Sequence, residues 1–189
     1  LIGLIRHRQY LKPLAILAIA SVGIIALFGS AGCKKERART RRELPKESYE
    51  REAVKAATPD DYVIKMDQMK TFYDVPGEFG HMLIGKDHGF KSLSFIVTDT
   101  QPAGGPPLHT HDTEEAHVLL EGRVKYWIED PVTHERKVFT VEGPYVARVP
   151  AGFQHTFINA GHEPFSLIAV FPDEKMSYHE VGKNPLVGK

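Results

Sequence analysis

The sequence predicts an all-β domain, a sandwich or closed barrel of short antiparallel strands, and three observations carry that expectation. Apolar residues come in short pieces bounded by Gly, Pro or Asp, such as Thr71-Phe72-Tyr73 and His81-Met82-Leu83-Ile84. Turn signals punctuate them roughly every eight to twelve residues, which suits strands and is too frequent for helices. One stretch, Lys91 to Thr98, alternates well, with Leu93, Phe95 and Val97 on one face and Ser92, Ser94 and Thr98 on the other. A period of two is the mark of a half-buried strand, here with its apolar face inward.

The chain divides by composition. Residues 1–33 read as a signal peptide or membrane anchor, a hydrophobic helix: basic Arg6, Arg8 and Lys12, then an apolar run from Leu14 to Phe28, then small residues leading into Cys33. The uncharged stretch from Pro13 to Cys33 is long enough to span a bilayer. Residues 34–61 are densely charged, with Pro45 and Pro59, and read as a solvated linker in which part of Glu47 to Ala57 can form a short exposed helix. Its basic cluster, from Lys34 to Arg42, can meet anionic head groups. Residues 62–175 form the β domain and 176–189 a polar tail.

Within the domain, Gln101 to Pro107 is a turn-rich loop that cannot be regular structure. Arg123 to Glu129 follows as a strand with Val124, Tyr126 and Ile128 on one face. After a polar turn come Lys137 to Val141, Tyr145 to Val149, Gln154 to Ile158 and Phe165 to Phe171, all read as strands.

Charge and cysteine content exclude several functions. The 24 basic and 24 acidic residues balance, so nothing calls for nucleic acid as a partner. The single cysteine permits neither a disulfide framework nor a thiolate zinc site. It also lies in the targeting segment, which removes Cys–His catalysis. No Gly-rich loop precedes a helix, so nothing resembles a nucleotide site.

The ten histidines are more informative. In PPLHTHDTEEAHVLLEG, Pro106 to Gly122, His109 and His111 are two apart and project from the same face of a strand. Glu115 follows four residues later, and PAGFQHTFIN, Pro150 to Asn159, brings His155. If both segments face one cavity, three imidazoles and a carboxylate converge. That mixed N/O set suits Fe, Mn, Ni, Cu or Zn as the divalent cofactor rather than Ca²⁺ or a thiolate-bound Cu(I). Glu114 has the opposite parity and is expected to face solvent, whereas His117 shares the parity of Glu115 and points inward, either toward substrate or as a satisfied core histidine. Phe157 is expected as pocket wall, Asn159 as a structural residue, Tyr126 and Trp127 as packing. His81, His88, His134, His162 and His179 are expected at the surface.

These two segments resemble the two motifs of the cupin superfamily. His109, His111, Glu115 and Gly122 match the first, and Pro150, Gly152, His155 and Asn159 match the second. The glycines that usually open each motif are displaced by one residue, at Gly104 and Gly143. The resemblance, covering about residues 80–172, implies a single-domain antiparallel jelly-roll β-barrel and the metal ligands His109, His111, Glu115 and His155. Separately, SAGC, ending at Cys33, resembles the lipobox of bacterial lipoproteins, with Ser30 where that family usually has an aliphatic residue.

The resulting expectation is a metal-binding cupin of the cell envelope, on the periplasmic or outer face. Its activity would be that of a dioxygenase on a small organic or aromatic substrate, with Glu115 and His117 as catalytic proton-transfer residues. The alternatives are a non-catalytic envelope protein holding a metal or small ligand, and a metal-free site in which the four side chains bond to one another. Expected partners are a small-molecule substrate or ligand, the membrane through the N-terminal segment, and a second copy of the chain in a homodimer.

Overall fold

A computed structural model describes residues 42–188; the expected signal or anchor, residues 1–33, lies outside the described residues. Among the described residues no helix is long and apolar enough to cross a membrane. Twelve strands form two antiparallel sheets. In chain order they are β1 (Tyr49–Arg51), β2 (Lys70–Asp74), β3 (Glu78–Leu83), β4 (Ser94–Thr100), β5 (Leu108–Thr110), β6 (Glu115–Leu119), β7 (Arg123–Glu129), β8 (Arg136–Glu142), β9 (Tyr145–Val149), β10 (Gln154–Asn159), β11 (Leu167–Phe171) and β12 (His179–Gly182). Short 3-10 turns occupy Met66–Gln68 and Gly85–His88.

One sheet runs β1-β2-β3-β4-β11-β6-β9 and the other β12-β5-β10-β7-β8. The interleaving of late strands between early ones is the jelly-roll arrangement, all-β as the sequence predicts. Between the sheets sits a core of Leu119, Val124, Tyr126, Phe157, Phe165, Leu167, Ala169 and Phe171. Each large apolar side chain buried there contributes on the order of 1.5–3 kcal/mol. Gly122 closes the β6–β7 turn at φ +117°, and a Cβ there would stand 2.9 Å from Phe165 Cβ, so the turn admits glycine alone.

Three segments depart from the sequence expectation. The charged linker contributes β1, paired to β2 through Tyr49↔Tyr73, with the two rings 5.8 Å apart; no helix forms over Glu47 to Ala57. The polar tail contributes β12, which pairs with β5 and places Glu180 opposite His109. In β4 the facing is reversed: Ser94, Thr98 and Thr100 are buried, while Leu93 lies exposed. The reversal stands because the inward hydroxyls find partners. Ser94 Oγ donates to Asp173 O at 2.6 Å and accepts from Gly85 N, and Thr98 Oγ1 donates to Leu167 O. On the outer face Phe95 meets the edge of Phe90.

Candidate metal centre

Strand parity and register assemble the centre. His109 on β5 pairs directly with His155 on β10, which brings the two motif segments side by side. His111 follows in the loop after β5, and Glu115 opens β6 with its side chain turned inward. All four residues are buried, and one donor atom from each lies within 4.8 Å of the others. This is the one such group among the described residues.

The imidazoles are fixed in the tautomer that a metal requires. His109 Nδ1 donates to Pro107 O at 2.8 Å, His155 Nδ1 to Phe153 O at 3.0 Å, and His111 Nδ1 to Ser177 O. A backbone carbonyl only accepts, so each Nδ1 carries the proton and each Nε2 presents its lone pair to the shared space. His155 Nε2 then faces Glu115 Oε2 at 2.8 Å. Two acceptors at that distance need a positive charge between or beside them, either a second proton on the ring or a cation held by the group. Burial keeps His109 and His111 below the ordinary histidine range, so both are neutral donors near neutral pH. For Glu115 burial works upward, but the charges and hydrogen bonds of His117 and His155 outweigh it and hold the carboxyl well below its usual range. Three imidazoles and one carboxylate, tautomers set, can hold a divalent transition metal.

His117 stands one step behind the donors. Its Nε2 donates to Glu115 Oε1 at 2.8 Å, and its Nδ1 meets Tyr126 Oη at 3.1 Å. With Nε2 donating to the carboxylate, Nδ1 accepts from Tyr126, and Tyr126 accepts in turn from Tyr145 Oη at 2.9 Å. Glu115 is therefore the inner end of a hydrogen-bonded chain that reaches the half-buried Tyr145. Glu114 faces outward, 3.5 Å from Arg148. Asn159 is structural: its amide donates to Thr100 O and Glu163 O, and its Oδ1 accepts from Gly161 N. His81, His134 and His179 bond to Met66 O, Glu129 and Asp112, away from the centre.

A cavity of about 510 Å³ opens beside the donors. Its walls include Glu78, Met82, Ile84, Ile96, Phe157 and Leu167, and its rim carries Asp74, Tyr178 and Glu180. Sequence reasoning missed the rim residues and the clamp that the tail applies. Tyr178 stacks on His109 with centroids 4.7 Å apart, Ser177 O fixes His111, and Asn184 Nδ2 donates to Pro106 O and Phe157 O. The tail read as polar and featureless, and no local spacing announces these contacts.

The family model for the cupin domain matches residues 96–171. No curated protein matches the sequence. Among solved structures, the formate complex of Lactobacillus farciminis oxalate decarboxylase is similar at 21% identity and TM-score 0.59, covering 66% of this chain and 37% of that one. A Bacillus subtilis oxalate decarboxylase studied for its Mn(II) centres is similar at 18% identity and TM-score 0.53, with 57% and 29% covered. An oxalate oxidase is similar at 16% identity and TM-score 0.53, with 67% and 60% covered. The chain thus spans less than two thirds of the length of each, and at these identities the likeness is one of fold. Both motifs, the jelly-roll sheets and the family match agree on a cupin domain over residues 96–171.

Proposed function

We propose that this cupin is a metal-dependent oxidoreductase of the dioxygenase type, acting on a small organic or aromatic molecule held in the barrel cavity. The observation that carries the reading is the cavity of about 510 Å³ that shares His109, His111 and Glu115 with the donor group. A metal serving structure alone needs no such space, whereas a substrate does. This favours an enzyme over a protein that stores a metal. The names of the solved neighbours, oxalate decarboxylase and oxalate oxidase, lend general support to chemistry on small molecules.

In this reading His109, His111 and His155 bind the metal through Nε2, and Glu115 adds the one negative charge. A redox-active divalent ion there supplies Lewis acidity and electron exchange with O₂. His117 keeps Glu115 ionised and aligned, and its chain through Tyr126 to Tyr145 can pass a proton to or from the carboxylate. The apolar wall orients substrate and excludes water from the reacting face. We also place the protein at the cell envelope, anchored through Cys33 or the apolar run before it. That part rests on the signal-like composition of residues 1–33.

The test is metal content and oxygen consumption. Protein purified without added metal is expected to hold about one equivalent of a transition metal, and the paired substitution His109→Ala, His111→Ala to hold none. Unchanged metal in that variant overturns the site. Stoichiometric metal with no O₂ uptake across a broad phenolic and small organic panel overturns the dioxygenase reading.

A further inference from the structure

The cavity's charge is one-sided. Among the described residues that line it there is no Lys or Arg, yet Glu50, Asp74, Glu78 and Glu180 all stand on its wall or rim. Glu50 is neutralised from outside by Lys70 at 2.6 Å. No such partner meets the other three carboxylates among the described residues.

Glu78 is the informative one. It is 3% exposed, it lines the cavity, and no donor among the described residues hydrogen-bonds its carboxyl. Its register partner across the β2–β3 ladder is Asp74, so two carboxylates stand directly opposite on one face. Like charges in that position destabilise a sheet, and a buried carboxylate without a partner is costlier still. Burial first, then Asp74 and Glu115, push Glu78 well above the ordinary range; burial with Glu180 and Glu50 takes Asp74 up to about 6. No cationic side chain among the described residues pairs with either.

A second metal ion is not the missing counter-charge. The oxygens of Asp74, Glu78 and Glu180 do not gather within one coordination sphere, as the donors of the centre do. The spread-out carboxylates match an extended ligand instead. Aromatic rings stand among them: Phe72 lines the cavity and lies over Gly80, where a Cβ would fall 2.1 Å from its ring, and Tyr178 stacks on His109 at the mouth. Carboxylates interleaved with aromatic faces are the chemistry that receives an organic ammonium group.

We propose that the cavity takes a small organic cation, its ammonium group received by Glu78 and Asp74 between Phe72 and Tyr178, and its apolar body lying along Ile84, Ile96 and Leu167 toward the four donors. The inference rests on the reading of this cavity as a substrate site and narrows that substrate's class. It also separates the chain from its oxalate-named neighbours, because a dianion entering this cavity meets carboxylates and, among the described residues, no Lys or Arg.

The experiment uses three size-matched probes at pH 7.5: choline, its uncharged carbon analogue dimethylbutanol, and the carboxylate dimethylbutyrate. The quaternary nitrogen of choline cannot coordinate a metal, so any preference for it reports the carboxylates. Titration calorimetry on the zinc-loaded protein is expected to show choline binding about tenfold tighter than the neutral analogue, with the carboxylate weakest. Glu78→Gln is expected to abolish the preference and Asp74→Asn to reduce it, each with unchanged metal content and an unfolding transition at or above that of the wild type. Equal or tighter binding of the carboxylate overturns the inference, as does an undiminished preference in folded, metal-loaded Glu78→Gln. Metal content is measured on the same samples. Wild-type protein that prefers choline but holds no metal overturns the enzyme reading and leaves the charge preference standing.

Discussion

Glu115 and Glu78 are the same residue type, 4% and 3% exposed, on the inner walls of one cavity, and their surroundings drive them to opposite states. His117 and His155 sit at 2.8 Å from the two oxygens of Glu115 and hold it ionised against its burial. Glu78 has no cationic partner among the described residues, and burial together with Asp74 and Glu115 drives it toward the neutral acid. Burial alone therefore decides nothing about a cavity carboxyl; the counter-charges within hydrogen-bond reach decide it. One end of the cavity is complete in itself and built to hold a dication. The other is an unbalanced charge that a ligand can balance.

Three perturbations sharpen that contrast beyond the tests above. The largest effect belongs to Glu115→Gln, which keeps the volume but removes the sole anionic donor. Affinity for the metal, followed by chelator competition, is expected to fall by roughly a hundredfold or more, beyond the usual cost of losing an outer partner. A variant that still binds metal like the wild type would show that Glu115 is not a ligand.

The middle effect is a pH dependence at the acidic end. Asp74 has its folded-state value raised to about 6. A raised carboxyl binds its proton more tightly folded than unfolded, so the stability it contributes is present below about pH 4 and is lost as pH rises to about 6. Asp74→Asn abolishes that loss. Chemical denaturation at pH 4 and pH 7 is expected to show wild type losing stability relative to the variant over this interval, and parallel curves would contradict the desolvated carboxylate pair.

The smallest effect belongs to Glu114→Gln, one residue from Glu115. Glu114 faces solvent against Arg148, with side chains 55% and 70% exposed. Stability is expected to change by less than about 0.5 kcal/mol in denaturant titration, with metal content unchanged. A loss of metal here would mean that the strand's inward and outward faces had been misassigned.

How much of this was legible in the sequence follows from the range of each interaction. His109, His111 and Glu115 lie within seven residues, and alternation of side chains along a strand is enough to face them together. His155 came from a second short motif. Gly122 and Asn159 were likewise marked by their place in those motifs. The facing of β4 was misread because hydrophobic alternation assumes an apolar interior, and this interior is lined in part by hydroxyls with partners on other strands. β1 was hidden because Tyr49 is its single apolar anchor amid charged neighbours. Asp74 and Glu78 reach the cavity through the ladder from β2 to β4, and Ser177, Tyr178 and Asn184 through the docking of β12. Pairings between distant segments leave no periodic trace in either one.

The carbonyl of Ser177 sets an order of events. It fixes the imidazole of His111 from 66 residues further along the chain. A nascent chain extended only to Asn159 already contains all four donors, yet nothing in it holds that ring in the tautomer that presents Nε2. The donor set is therefore fully oriented only once the segment carrying Ser177 has docked beside β5.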